Sequence, residues 1–172
     1  MRLRKAAPVL IGVSMVLVAA AFSAPLAIAQ GDNNPDVIEV RHYQLTLDKA
    51  QKTAKAMQSI NELVAANPSL NAALDAGSDS TAKKPITQQA QDIDSKYPQI
   101  AAIIKQNGLA TREFIVITGA IINDVLWVGM KKQGAVKAYP AGMITPENAA
   151  LIEANWDAFQ AIGAQMTPPD AK

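Results

Sequence analysis

Between Phe114 and Met130 the chain runs for seventeen residues with only Thr118, Asn123 and Asp124 to interrupt its apolar character. Thr111 before it supplies an N-cap, Glu113 falls in the first turn, and Lys131 and Lys132 complement the last. A helix apolar on every side has no face to offer water, so other helices must surround it. Lipid is the alternative surrounding. Seventeen residues reach only the lower edge of a span, and Asp124 near the middle would cost several kcal/mol there. The segment is therefore expected to be the buried central helix, over about 111–132, of an all-α domain.

The rest of the chain supplies the helices to wrap it. Thr46 with Asp48 in the first turn opens an amphipathic helix of about five turns. Its stripe is Leu47, Ala50, Ala54, Met57, Ile60, Leu63 and Val64, and it ends at Asn67-Pro68. A short piece over Pro68–Ala76 stops at Gly77, and Ser78 to Pro85 reads as a polar loop. Further helices are expected from about Thr87 to Lys96 and from Pro98 to the Asn107-Gly108 stop. After a loop over Gln133–Ile144, Thr145-Pro146-Glu147 caps a last helix reaching about Met166. Val37 to Gln44 alternates in polarity with no second strand to pair with, which predicts an extended segment over 30–45 lying on the helices. The sum is an irregular bundle of five to six helices over 46–166, followed by a short tail over 167–172.

The first thirty residues bear on location. Arg2, Arg4 and Lys5 precede an apolar run from Val9 to Phe22, and Ala27-Ile28-Ala29 offers small residues before Gln30. That order is the grammar of a secretory signal peptide over 1–29, cut between Ala29 and Gln30. The expected location is periplasmic or secreted, with no membrane span left after cleavage. Removing 29 of 172 residues leaves 143, enough for one domain. It also takes three of sixteen basic and none of fifteen acidic residues, leaving thirteen against fifteen, a formal −2. Such a balance gives no basic stripe for nucleic acid. The chain has no cysteine, which excludes disulfides, thiolate metal sites and a Cys nucleophile.

Little else carries chemistry. His42 is the only histidine, too few for a multi-histidine metal site, and Arg41-His42-Tyr43 reads first as a positioning segment. Asp92 and Asp94, two apart on a helix, point to different sides. Asp124 shares a helical sector with Glu113, Ala120, Trp127 and Lys131, a sector that either reaches the surface or holds an ion pair with a Lys or Arg from another helix. Gly119 and Gly129 cost helix propensity, so close packing or a cavity is expected beside them. Asn155, on the apolar stripe of the last helix, is expected to pin a loop backbone. No Gly-x-Ser-x-Gly elbow or phosphate loop occurs. No catalytic residue, metal or cofactor is expected.

Three stretches resemble a known family when taken together. They are Tyr43-Gln44-Leu45-Thr46 with Asp48-Lys49, Gly108-Leu109 with Arg112-Glu113-Phe114, and Pro146-Glu147-Asn148 with Glu153-Ala154-Asn155. In that order, over roughly 41–163, the chain resembles an uncharacterised family of small exported α-helical proteins of Gram-negative bacteria. The resemblance implies an exported helical domain and brings no activity or binding residues with it. By elimination the expected function is a non-enzymatic binding or interaction module of the bacterial envelope, with an envelope protein or small ligand as partner. One alternative is a small periplasmic chaperone of the Spy type, whose Leu-Thr-x-x-Gln spacing is not met because four residues separate Thr46 from Gln51. Another is a small-ligand carrier or enzyme with a pocket near His42, Gly119 and Asp124.

Overall fold

The computed structural model describes residues 33–81 and 84–168, with no side-chain detail at 77–81; the expected leader over 1–29 lies outside them. The described residues are all-helical, with no strand. Eight helices follow in order: α1 Pro35–His42, α2 Leu47–Ala65, α3 Pro68–Thr81, α4 Ile86–Lys96, α5 Pro98–Gln106, α6 Thr111–Lys132, α7 Pro146–Ala154 and α8 Trp156–Met166.

Helix α6 is the axis of the bundle and lies against α1, α2, α4, α5 and α7, while α8 packs on α2. Phe114, Val116, Ile117, Ala120 and Val128 of α6 are buried, and they meet a core built from Ile60, Ile100, Ile104, Ile152 and Phe159. α6 is also the one described helix long and apolar enough, by length and composition, to cross a membrane. In this fold half of its most apolar stretch is buried against the other helices.

Several boundaries follow the expected residues. Thr46 caps α2 by accepting from Lys49 N–H at 3.2 Å. Thr145 caps α7 in the same way from Asn148 N–H, with Pro146 at the first helical position. α5 ends in a Schellman turn: Gly108 takes φ +75°, its N–H donates to Lys105 O, and Leu109 N–H donates to Ile104 O.

Others are corrected. The extended segment expected over 30–45 is helical from Pro35 to His42. Asn34 caps it through Asp36 N–H, Pro35 sits at its start, and Arg41 and His42 occupy the last turn. Its buried residues, Val37, Val40 and Arg41, recur at helical steps, so capping and packing outweigh the short run of alternating polarity. α3 continues through Gly77 to Thr81, because a glycine's helix penalty of about 1 kcal/mol does not by itself end a helix. Thr111 does not cap α6: Ala110 holds that position, and Thr111 Oγ1 donates instead to Asp94 Oδ1 at 2.7 Å. The expected last helix is two. Asn155 breaks it with φ −121° and ψ 34°, and its side-chain amide donates to Leu151 O at 2.8 Å. Asn155 thus satisfies a carbonyl at the end of α7 rather than pinning a distant loop.

Candidate functional site

The chain's most unusual group is Asp124. It is 0 % exposed and lies on α6 where α7, the α1–α2 junction and the loop after α6 converge. Among the described residues no cation pairs with it. Asn123 Nδ2 donates to its Oδ1 at 2.8 Å and Asn148 Nδ2 donates to its Oδ2 at 2.7 Å. Burial pushes the Asp124 carboxyl up to about 6, against the smaller opposing pull of these two amide donors. The expected sector at the surface, or an ion pair with Lys or Arg, is thus replaced by a buried carboxylate between two amides.

Each amide also holds a backbone segment. Asn148 accepts from Leu45 N–H at 3.0 Å through Oδ1 and donates to Tyr43 O at 2.8 Å, so it clamps the α1–α2 junction. Asn123 Nδ2 donates to Met143 O at 2.6 Å and holds the end of the Gln133–Ile144 loop on α6. Both hydrogens of each amide nitrogen are therefore in use, and the cluster ties together segments about a hundred residues apart in sequence.

The charges of the same sector are paired at its two ends. Near the start of α6, Lys49 Nζ donates to Glu113 Oε1 at 2.7 Å and to Tyr43 Oη at 2.8 Å, and Tyr43 Oη donates to Glu113 at 2.9 Å. Lys49 holds the Glu113 carboxyl below its ordinary range, while burial pushes the Tyr43 hydroxyl up. Near the end of α6, Lys131 and Tyr139 Oη both donate to Glu153 Oε1, at 2.8 and 2.6 Å, and the Lys131 ammonium sits 4.5 Å from the centre of the Tyr139 ring. Lys131 lowers the Glu153 carboxyl in turn.

Beside this second cluster lies a cleft of about 500 Å³, open to solvent. The loop forms one wall, with Tyr139, Pro140, Gly142 and Ile144, and α7 forms the other, with Ala149, Ala150 and Glu153. Asn123 and Asn148 are bonded into those walls: Asn123 holds Met143, between lining residues Gly142 and Ile144, and Asn148 precedes lining residue Ala149 and ties α7 to Asp124.

The residues singled out from the sequence sit in different surroundings. His42 is exposed at the end of α1, Gly119 is half-buried on α6, and Asp124 is enclosed. Gly119 and Asp124 are five residues apart on α6, which places them about 140° apart around the helix. None of the three lines the described cleft. Gly129 meets the packing expected of it: a Cβ there would lie 3.4 Å from the Trp156 ring. Among the described residues, no group of three or more His, Asp or Glu side chains is placed to hold a metal ion.

Asn123, Asn148, Tyr139 and Glu153 were not singled out as site residues from the sequence. A signal existed for two of them, since Asn148 and Glu153 fall within the three stretches singled out from the sequence, while Asn123 and Tyr139 carried none. No protein-family model, curated protein or solved structure matches the chain.

Proposed function

We propose that this chain is an exported, non-enzymatic binding module of the bacterial envelope, and that it binds at the cleft between the Tyr139–Pro146 loop and α7. The cleft carries the proposal. Its volume of about 500 Å³ falls in the range of small-ligand sites, and its walls combine tyrosine, proline, isoleucine and alanine with a single carboxylate. That carboxylate, Glu153, is already balanced by Lys131 and Tyr139. The cleft therefore offers apolar surface and a hydrogen-bond acceptor, which suits an uncharged small molecule or a short peptide segment bearing a donor. Export is supported by the Arg2–Lys5 charges, the apolar run after them and the Ala27-Ile28-Ala29 site.

Native mass spectrometry of the protein, purified gently from its own envelope fraction, tests both parts. The expected spectrum shows a chain beginning at Gln30 with a retained molecule, and the Ala150→Trp variant, which fills the cleft from an exposed position, loses that molecule. Retention undiminished by Ala150→Trp, or no retained molecule at all, removes the cleft as the binding site. A mass beginning at Met1 removes cleaved export.

A further inference from the structure

The amides that hold Asp124 also hold the cleft, and they differ in their freedom to respond to a proton. Asn148 is fixed at both ends: its Oδ1 accepts from Leu45 N–H and its Nδ2 donates to Tyr43 O and Asp124 Oδ2. Turning its amide over would set one N–H against another at Leu45. Asn123 is held through Nδ2 alone, by Asp124 Oδ1 and Met143 O, and it is only half-buried.

A protonated Asp124 carries a hydroxyl that needs an acceptor, yet both groups facing the carboxylate are N–H donors. Asn123 is the one that can turn. Rotating its amide presents Oδ1 to the new hydroxyl and withdraws Nδ2 from Met143 O. We infer that Asp124 and Asn123 form a proton-operated latch on the cleft: with the carboxylate ionised the loop end at Met143 is fastened to α6, and with it protonated the loop end is released. The proton comes from solvent, and no other bond changes.

The charged and titratable groups on the surrounding elements do not blur the switch. These are Arg41 and His42 on α1, Tyr43 at the junction, Lys49 on α2, the exposed Lys137 and the Glu153-bonded Tyr139 on the loop, Glu147 and Glu153 on α7, and Glu113 and Lys131 on α6. Only burial and the two amides act on Asp124. Tyr43, Lys49 and Glu113 satisfy one another, as do Lys131 and Glu153. His42 and Glu147 are exposed. The transition falls near the Asp124 midpoint of about 6, within reach of mild acidification.

The consequence for ligands rests on the cleft being the binding surface, but the latch is readable without any ligand. Met143 N–H donates to Pro140 O at 3.2 Å within the loop. Its hydrogen-exchange protection factor, measured by NMR on the full chain, should fall roughly fivefold between pH 7.5 and pH 4.5, the loss expected for one hydrogen bond holding the segment. The Asn123 side-chain amide signals should shift with the same midpoint. Asp124→Asn, a neutral mimic of the protonated acid, should show the low protection at both pH values. Asn123→Ala, which removes the tether and leaves Asp124 intact, should do the same. Met143 protection that stays constant in the wild-type chain across this range overturns the latch, whether or not the Asp124 variant folds, and leaves the binding reading untouched. A pH response that persists in Asn123→Ala overturns it equally. An empty cleft in native mass spectrometry leaves the latch standing.

Discussion

Replacing Asp124 with asparagine should change how the stability of the chain depends on pH, and the structure fixes the sign. The carboxyl titrates near 6 in the folded chain, against an ordinary 3.8 that the unfolded chain adopts. The folded state therefore binds this proton more tightly, so the group's contribution to stability is fully present below about 3.8 and is lost as the pH rises through about 6. At about 1.4 kcal/mol per pH unit, the whole swing is about 3 kcal/mol, of which about 2 kcal/mol falls between pH 7.5 and pH 4.5. Asparagine has no proton to gain, so the variant lacks this swing. Glu113, Glu153 and Asp92, all held below the ordinary carboxylate range by lysines, lose stability on acidification in both proteins and cancel in the comparison. Urea unfolding at a series of pH values gives the difference in unfolding free energy, wild type minus variant. That difference should become more favourable to the wild type by about 2 kcal/mol on going from pH 7.5 to pH 4.5, staying nearly flat above about 6 and rising steadily once the pH falls below it. A flat difference, or one that moves the other way, would refute the argument that burial outweighs the two amide donors.

Further outcomes follow from the same contacts. Asn148→Ala strands a buried carboxylate oxygen, Leu45 N–H and Tyr43 C=O together, so it should cost about 3–5 kcal/mol by denaturant unfolding; a loss below about 1 kcal/mol contradicts the clamp. Gly129→Ala adds a methyl at ordinary contact distance from Trp156 and removes a glycine from mid-helix, so thermal unfolding should show a gain of up to about 1 kcal/mol, and a loss would mean the Trp156 ring cannot accept the methyl. Lys49→Met breaks a partly exposed cluster and should cost about 1 kcal/mol or less at low salt, shrinking as salt is added. A loss of several kcal/mol that salt does not touch would show the cluster to be less exposed than its geometry implies.

How far the sequence carried this account depends on the range of the interactions involved. The central helix was legible because seventeen apolar residues between charged ends must be enclosed by other helices or by lipid, and Thr46, Thr145 and Gly108 marked boundaries through bonds to residues three to five away. The α1 helix was missed although Asn34-Pro35-Asp36 has the form of a helix start, because alternation over eight residues outweighed a local cap. The break at Asn155 was missed because an asparagine on an apolar stripe is compatible with either a continuous helix or a kinked one, and packing decides. Asp124 stood out as a charge in an apolar helix, but its partners did not. Asn148 is 24 residues away and its backbone ligands are more than a hundred away, so no local periodicity connects them. The cleft was illegible for a different reason: its lining spans only residues 139–153, but one wall is a loop without periodicity, whose path the sequence does not reveal.

The titration of the Asp124 side-chain carboxyl carbon, followed by NMR in the full chain, tests the buried cluster most directly. The midpoint should lie near 6, and the amide signals of Leu45, Met143 and Asn148 should move with it, because the same two asparagines bond all of them. A midpoint at or below 4, with those three amides unmoved, would contradict a buried carboxylate that ties the α1–α2 junction and the cleft wall to α6.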